Sequence, residues 1–322
     1  MPKPKFAVYW AASCGGCEIA FLDIREKILD FDAAADLVFC PCLLDTKYKD
    51  VEAMADGEID VTLFNGGIRN EENLHIAKLL RQKSKVLVAF GSCAFEGCIP
   101  GLANLTTKSE ILDYVYRKSP SVEPGNTTFP QTVTETPAGR LTLPDLFEVL
   151  RPLDHVVDVD YRMPGCPPVA EQIWAVAEAA LTGKLPPKGA LVGVNPKTVC
   201  DECKRTKEEK KIKAFRRPHL VDPRDIDPVK CLLEQGIICN GPAIHAGCGA
   251  LCPQVNLGCR GCYGPADGIQ DVGAKLAGAI ASIIDSDDPA EIQAVADQIV
   301  DPVGTFYRFG LAGSLVGRRI RS

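Results

Sequence analysis

The chain has 322 residues, 46% of them hydrophobic, which predicts about two domains with real cores and excludes disorder as a description of the whole. Its formal net charge is −6, and this acidic balance argues against a dedicated nucleic-acid-binding protein. The sequence shows no signal peptide and no run near the ~18 apolar residues of a membrane span, so we expect a soluble, cytoplasmic protein. The unusual feature is its fifteen cysteines, an odd number that disulfides alone would not use up.

Short apolar runs alternate with helical patterns from residue 5 to about 183. The runs are Phe6–Trp10, Leu37–Phe39, Val61–Phe64, Val86–Phe90 and Val156–Tyr161, and the helical patterns are Glu18–Leu29, Glu72–Arg81, Ser109–Tyr116 and Val169–Leu181. This alternation predicts an α/β domain with a flavodoxin-like parallel sheet covered by helices. Proline and glycine interrupt it between about 102 and 151, which we interpret as a long, structureless insertion, either functional or an interface element.

The composition changes after Gly183, where a linker-like segment precedes a region rich in glycine, proline and cysteine. We therefore predict a flavodoxin-like domain over residues 1–183 and an irregular, helix-containing iron-sulfur domain over 184–322. Helical patterns return at Ile269–Ile284 and Ala290–Val300. The segment Lys204–Arg217 is strongly basic, which is typical of a solvated surface or of a docking site for an acidic redox partner.

Four cysteines directly follow predicted strands. They are Cys14 and Cys17 after the first strand, Cys93 after the fourth and Cys166 after the fifth. Ligands gather at the carboxyl ends of parallel strands, so these thiols can converge, and the glycines beside them allow close approach to an inorganic cluster. The alternatives are a small buried hydrophobe for any single cysteine and a thioredoxin-like redox pair for Cys14 and Cys17. Neither GxGxxG nor a P-loop follows the first strand, so nothing supports a nucleotide site.

Eight more cysteines lie between residues 200 and 262. They are Cys200, Cys203, Cys231, Cys239, Cys248, Cys252, Cys259 and Cys262. The last four cysteines lie together in a glycine-rich segment of 15 residues, and this close spacing favours an iron-sulfur cluster over zinc. Cys231 and Cys239 are too far apart to be the second cysteine pair of a zinc ribbon. Chain order divides the eight into two sets of four, although spacing alone does not choose the division. Three clusters in series would form an electron-transfer chain and leave Cys40, Cys42 and Cys98 as surplus.

Five motifs carry a family resemblance. They are Cys14-Gly-Gly-Cys-Glu18, Asn65-Gly-Gly67, Gly91-Ser-Cys-Ala94, Gly165-Cys-Pro-Pro168 and Cys259-Arg-Gly-Cys-Tyr-Gly-Pro265. Together they resemble the small, electron-transferring subunit of nickel-iron hydrogenases, over nearly the whole chain. The similarity is greatest to the cytoplasmic branch typified by the methyl-viologen-reducing hydrogenase, which feeds electrons to heterodisulfide reductase.

The resemblance implies three 4Fe-4S clusters. The proximal one would be bound by Cys14, Cys17, Cys93 and Cys166, the medial one by Cys248, Cys252, Cys259 and Cys262, and the distal one by Cys200, Cys203, Cys231 and Cys239. Cys200 stands where periplasmic members have His, and Cys252 stands where many have Pro. All-cysteine ligation should bias the chain towards low potentials.

The resemblance also implies that hydrogen is activated on a separate nickel-iron large subunit, so we expect no nickel, flavin or nucleotide in this chain. Electrons would pass outward to an iron-sulfur or flavin acceptor subunit, with heterodisulfide reductase preferred and deazaflavin- or nicotinamide-coupled complexes as alternatives. Glu18 resembles a family position near the subunit interface, which implies a role in orienting or shuttling protons, and its alternative is a first-turn acid stabilised by the helix dipole. A respiratory-complex subunit, a polyferredoxin and a zinc scaffold are the other classes considered. None of the four histidines shows ligand spacing.

Overall fold

The structure is a computed structural model that describes residues 2–123, 125, 128–209 and 211–317. Residues 318–322 of the arginine-rich tail, Lys210 of the basic segment and Pro124 of the insertion lie outside the described residues. No helix in the described ranges is long and apolar enough to cross a membrane.

The strands and helices of the described residues have the following bounds. The strands are β1 (Lys5–Trp10), β2 (Asp36–Phe39), β3 (Ile59–Asn65), β4 (Ile68–Asn70), β5 (Ser84–Phe90), β6 (Val133–Thr136), β7 (Gly139–Thr142), β8 (Leu146–Arg151), β9 (Tyr161–Met163), β10 (Asn195–Thr198) and β11 (His245–Ala246). The helices are α1 (Gly16–Leu22), α2 (Lys27–Ala34), α3 (Tyr48–Glu52), α4 (Glu71–Lys83), α5 (Ser92–Glu96), α6 (Lys108–Asp113), α7 (Ala170–Leu181), α8 (Val199–Glu202), α9 (Leu251–Gln254), α10 (Val272–Ala281), α11 (Pro289–Ala296) and α12 (Pro302–Phe306).

A five-stranded parallel sheet organises the N-terminal half, in the order β2-β1-β3-β5-β9. This is the strand order of flavodoxin-like folds, so the predicted fold class is confirmed. The central strands β3 and β5 are almost continuously buried because helices cover the sheet on both faces. One buried cluster, around Phe21, packs α1, α2 and α7 on one face, and a second, around Ile76, packs α4 on the other.

Two predicted elements differ from the structure. The helix predicted over Glu18–Leu29 is broken into α1 and α2, because Arg25 has a φ of 60°, which no helix residue adopts. The strand predicted over Val156–Tyr161 is wrong in position, since β9 begins only at Tyr161. The valines before it instead pack against the second cluster after a turn in which Val157 N–H donates to Leu153 O at 3.1 Å.

The insertion between residues 102 and 151 is not structureless, contrary to the prediction. A 3-10 turn spans Ile99–Leu105, α6 runs on through a π-helical turn at Tyr114–Lys118, and β6 and β7 form an antiparallel hairpin. β8 then pairs antiparallel with β4, beside the main sheet. Ala190–Val192 adds a further edge to the sheet, where Val192 N–H donates to Arg162 O at 2.9 Å.

The C-terminal half contains short helices, turns and a two-stranded β10-β11 ladder, as its irregular composition predicts. Its buried cluster combines apolar residues with cysteines, including the buried Cys239 and Cys259. The two halves join through Tyr263, whose hydroxyl accepts from Val169 N–H at 3.1 Å and donates to Gln172 Oε1 at 2.6 Å.

Candidate functional site

The first predicted pair of thiols lies where β1 passes into α1. Gly15 begins this helix with a φ of 79°, and a Cβ there would lie 3.1 Å from the Trp10 ring, so glycine is required at the turn. Cys14 is exposed, whereas Cys17 faces inward from α1. The turn therefore presents one thiol to the surface and one to the interior.

The carboxyl ends of β5 and β9 meet Cys17 at the same edge of the sheet. Gly91 N–H donates to Met163 O at 2.7 Å, and Ser92 N–H donates to Gly165 O at 2.8 Å. A Cβ at Gly91 would lie only 2.3 Å from Cys17 Sγ, so the absence of a side chain leaves the space that this thiol uses. The backbone thus brings the loops of Cys93 and Cys166 beside Cys17.

The thiols of this group influence one another. Burial raises the pKa of Cys17, and repulsion from Glu18, Cys166 and Cys14 adds to the increase. The sequence-based expectation that these strand ends converge therefore agrees with the arrangement of the described residues.

Cys98 is a fifth thiol at the same place, which sequence reasoning set aside as surplus. Its Sγ lies 3.6 Å from Cys166 Sγ, and it packs against Cys93 in one buried cluster. The available signal was Gly97, which directly precedes Cys98 and turns the chain with a φ of 89°.

The next set of four thiols is assembled from loops rather than strand ends. Cys248 sits between two glycines whose N–H groups both donate to the carboxylate of Glu202, each at 2.8 Å. Cys252 lies on α9, and Cys259 and Cys262 follow on one turn. Burial raises the pKa of Cys262 to about 12, and repulsion from Cys248, Cys166 and Cys252 contributes.

The third set surrounds a single cavity. Its empty volume is about 390 Å³, and its walls combine apolar side chains with four cysteines, namely Cys200, Cys203, Cys231 and Cys239. A Cβ at Gly241 would lie 3.3 Å from Cys200 Sγ and 3.5 Å from Cys239 Sγ, so here too a glycine keeps the space beside the thiols open. Four thiols around one apolar cavity fit a four-iron cluster in donor number and type.

Two close contacts connect the three sets. Ser92, next to Cys93, donates its hydroxyl to Cys262 O at 2.5 Å, and Cys166 and Cys262 pack against the same buried cluster. Cys259 N–H donates to Cys239 Sγ at 3.2 Å. The sets therefore lie in a row, with the Cys248 to Cys262 set between the other two. Within the described ranges, no three His, Cys, Asp or Glu side chains crowd as closely as a single metal ion requires.

Arg205 is the residue in this region that sequence reasoning misjudged. It belongs to the basic segment interpreted as a solvated or docking surface, yet it is only 8% exposed. Its guanidinium donates to Pro253 O at 3.0 Å, Asp227 O at 2.7 Å and Lys230 O at 2.8 Å, and also to Asn256 Oδ1. This side chain joins the loops that carry the distal and medial thiols, and its neighbours in sequence gave no signal of that role.

Glu18 is buried at the edge of the first set. Asn65 Nδ2 donates to both of its carboxylate oxygens at 2.9 Å. Burial raises the pKa of Glu18, and the hydrogen bonds from Asn65 partly oppose that increase. The side chain lines an open cavity of about 760 Å³, together with Cys14, Cys40 and Cys42.

Comparisons with known proteins identify a family and several relatives of this chain. Residues 14–180 match the family described as NADH ubiquinone oxidoreductase, 20 Kd subunit. The chain is 40% identical to the iron-sulfur subunit of an F420-non-reducing hydrogenase of Archaeoglobus profundus, over 98% of both chains. It is 37% identical to an F420-non-reducing hydrogenase subunit of Methanothermobacter marburgensis, covering 99% of this chain and 98% of that one. A chain of an NAD+-reducing [NiFe]-hydrogenase crystal structure superposes with a TM-score of 0.49 at 33% identity, over 57% of this chain and 94% of that one.

A parallel sheet with thiols at its strand ends, followed by a cysteine-rich region, defines an iron-sulfur electron-transfer protein. The chain belongs to the family of electron-transferring small subunits of hydrogenases, on the branch of the F420-non-reducing hydrogenases. It is therefore an oxidoreductase subunit, and the family resemblance stated from the motifs is confirmed.

Proposed function

We propose that this chain carries three 4Fe-4S clusters, on the twelve cysteines named from the sequence, and conducts electrons between a nickel-iron large subunit and a separate acceptor. The observation that carries this proposal is the row of three thiol sets, linked by Ser92 Oγ donating to Cys262 O and by Cys259 N–H donating to Cys239 Sγ. When bound, the clusters would supply one-electron carriers of low potential. The protein's own part is to hold four thiols per site and to keep each site close to the next.

The proximal end of the row is suited to contact the large subunit. Cys14 is exposed there, and exposed apolar side chains lie around it, namely Trp10, Ile19, Leu22 and Leu43. A contiguous apolar surface on a protein of this size typically marks a protein interface. Electrons from hydrogen oxidation would therefore enter beside Cys14.

The distal end is suited to an acidic redox partner. Lys204 and Lys207 are exposed next to Cys203, and the Lys207 ammonium donates to Cys200 O, so positive charge lies beside the proposed distal thiols. The acceptor we favour is a heterodisulfide reductase complex in the cytoplasm. Because the relatives are named F420-non-reducing, they favour it over a deazaflavin-coupled acceptor.

Glu18 is proposed to transfer protons at the proximal end. It is buried, it faces the cavity beside Cys14, and Asn65 orients its carboxylate. Glu18→Gln should retain all iron but reduce hydrogen oxidation at least about tenfold, because the amide cannot carry a proton. An unchanged rate would assign Glu18 the structural role of a first-turn acid.

Iron and acid-labile sulfide analysis of this chain, purified anaerobically, tests the cluster proposal. We expect about twelve irons per chain, falling to about eight in Cys239→Ala and unchanged in Cys42→Ala. A colourless, zinc-containing protein would refute it. Purification under gentle conditions should also recover a larger nickel-containing subunit, and its absence would refute the proposed partner.

A further inference from the structure

The C-terminal half contains a cavity that lies beside the medial thiols but is distinct from the site that they would form. Its empty volume is about 770 Å³, and its lining residues come from segments 215–219, 238–240, 259–260 and 298–308. Of the four proposed medial ligands, Cys259 is the one among the described residues that line it. A cluster held by all four thiols would therefore occupy a different space.

Positive charge dominates the walls of this cavity. Its lining includes four guanidiniums and one imidazole, those of Arg216, Arg217, Arg260, Arg308 and His219. Asp301 supplies the one carboxylate among the described lining residues, and its Oδ1 accepts from Gly304 N–H at 2.8 Å at the start of α12. That carboxylate is therefore already engaged at a helix end, and the guanidiniums outnumber it four to one.

No protein carboxylate forms an ion pair with these four guanidiniums in the part of the chain that the structure describes. Elsewhere in the chain arginines do pair with acids, as Arg162 does with Asp154 at 2.9 Å. Arg308 Nε donates to Gly304 O at 3.0 Å, which fixes this guanidinium in the wall. Partial burial lowers the pKa of Arg260, and repulsion from the Arg308 guanidinium adds to the decrease. Neighbouring cations without a protein partner are stabilised by an anion from solution.

A buried amide in the wall lacks a hydrogen-bond donor. Asn240 is 3% exposed, and its Nδ2 donates to Thr305 O at 3.0 Å and to Arg260 O at 3.3 Å. Among the described residues, nothing donates to its Oδ1. A buried acceptor without a donor is costly, so we expect a ligand or an ordered water to supply one. The lining thus combines donors for the oxygens of an anion with one acceptor for a hydroxyl group.

This combination of groups fits a phosphate better than other common anions. A guanidinium presents N–H donors in a planar fork that matches two phosphate oxygens. The hydrogen phosphate ion and hydroxylated phosphate esters also carry an O–H group that can donate to Asn240 Oδ1, whereas sulfate and carboxylate carry none. Phe215 and Ile299 line the same cavity and offer apolar surface to the carbon skeleton of an ester.

We propose that this cavity binds one phosphate group, held by the four guanidiniums, with Asn240 accepting from a hydroxyl of the same ligand. The ligand is either the free hydrogen phosphate ion or a small hydroxylated phosphate ester, since the two share this chemistry. The site is independent of the proposed electron-transfer chain, because none of the groups that would hold the phosphate is one of the twelve proposed iron ligands.

Isothermal titration calorimetry tests the proposal on the complete hydrogenase complex, purified anaerobically in a phosphate-free buffer and titrated at fixed ionic strength. Inorganic phosphate should bind saturably. Sulfate should bind at least about tenfold more weakly, because it offers Asn240 no donor. Tighter binding of glycerol phosphate than of inorganic phosphate would identify an ester as the ligand, and equal or weaker binding would identify the free ion.

Two variants and a matched control locate the binding in this cavity. Arg217→Gln and Arg308→Gln should each weaken phosphate binding at least about tenfold, because each removes a charged donor. Arg224→Gln should leave the affinity unchanged, since Arg224 is an exposed arginine of the same half that pairs with Asp222 and is not a lining residue. Arg217 is itself exposed, so Arg217→Gln should keep the melting temperature and iron content of the wild type.

Four results would overturn the proposal. The first is the absence of saturable phosphate binding, and the second is equal affinity for phosphate and sulfate, which would show only a general attraction of anions to positive charge. The third is equal weakening in Arg217→Gln and Arg224→Gln, which would place the binding elsewhere. The fourth is binding by the isolated full chain but not by the complex, which would assign the cavity to an interface with a partner subunit.

Discussion

The two halves of this chain position their thiols by different means. In the N-terminal half, Cys17, Cys93 and Cys166 lie just beyond strand ends of a sheet whose two cores are mainly apolar, with Cys17 and Cys40 as the cysteines of one of them. In the C-terminal half, cysteines are part of the core itself, since Cys239 and Cys259 are buried in it and other thiols pack against it. We therefore expect the first half to keep its fold without the proposed proximal cluster, and the second half to depend on the proposed clusters for its stability.

Removal of iron should produce the largest difference between the two halves, in the exchange rates of their amide hydrogens. After anaerobic chelation, amides of the C-terminal core, such as Asn240 N–H bonded to Cys259 O, should exchange at least about 100-fold faster. Amides of β3 and β5 should change by less than about threefold, because their ladder contains no thiol. Hydrogen exchange read by mass spectrometry measures both. Equal loss of protection in β3 and β5 would contradict the comparison.

Replacement of one glycine should empty the proximal site alone. In Gly91→Ala, the new Cβ would meet Cys17 Sγ at 2.3 Å, and we expect about four irons to be lost from about twelve. Gly189→Ala is the matched control, since Gly189 also has a positive φ, of 92°, but a Cβ there would meet nothing within 4 Å. Iron analysis distinguishes them. If both variants lose the same amount of iron, the cause is backbone strain at a glycine with a positive φ rather than a clash with the Cys17 thiol.

Arg205→Met should destabilise the C-terminal half by about 3 kcal/mol, because it removes four hydrogen bonds made by a buried guanidinium. Anaerobic guanidinium unfolding, followed by cluster absorbance, measures the change. The control is Lys213→Met, an exposed position in the same segment, where we expect less than about 0.5 kcal/mol. If Arg205→Met lowers the free energy of unfolding by less than about 1 kcal/mol, the loops that carry the thiols do not depend on this side chain for their stability.

The smallest expected effect concerns an ion-pair network in the sheet. Asp160 is buried, which by itself would raise its pKa. Hydrogen bonds from Lys188 and Arg81, and from Leu87 N–H at 2.8 Å, together hold that pKa below its usual value. Because the folded pKa is depressed, this stabilisation is complete above the unfolded pKa of about 3.9 and is lost as pH falls through the folded value.

Asp160→Asn should therefore cost about 2 kcal/mol at neutral pH, and the difference from wild type should shrink below about pH 4. Unfolding measured at several pH values, by the circular dichroism of the sheet, tests this. Asp36→Asn, which removes an exposed pair with Lys3 at 3.9 Å, should change stability by less than about 0.5 kcal/mol. A pH-independent loss in Asp160→Asn would mean that the hydrogen bonds, rather than the charge, stabilise the sheet.

The parallel sheet was predictable because each strand is a local apolar run and because strand ends share one edge. The convergence of the loops carrying Cys14, Cys17, Cys93 and Cys166 follows from that rule alone. The break at Arg25 and the late start of β9 were not predictable, since each depends on a turn that the spacing of apolar residues in the sequence does not reveal. The role of Arg205 was also hidden, because its partners are backbone carbonyls up to 48 residues away.

The sequence by itself predicted the parallel sheet and the membership of a hydrogenase family, because motifs and periodicities are local properties of the chain, and it supplied the twelve cysteines that we propose as ligands. Only the tertiary structure decided which thiols are neighbours. It set Cys98 against Cys166 within the first set. It also joined the three sets, through Ser92 with Cys262 and through Cys259 with Cys239. Spacing along a chain cannot specify such contacts, since the packing of distant segments, such as Ala312 against Gly97, closes the loops that make them.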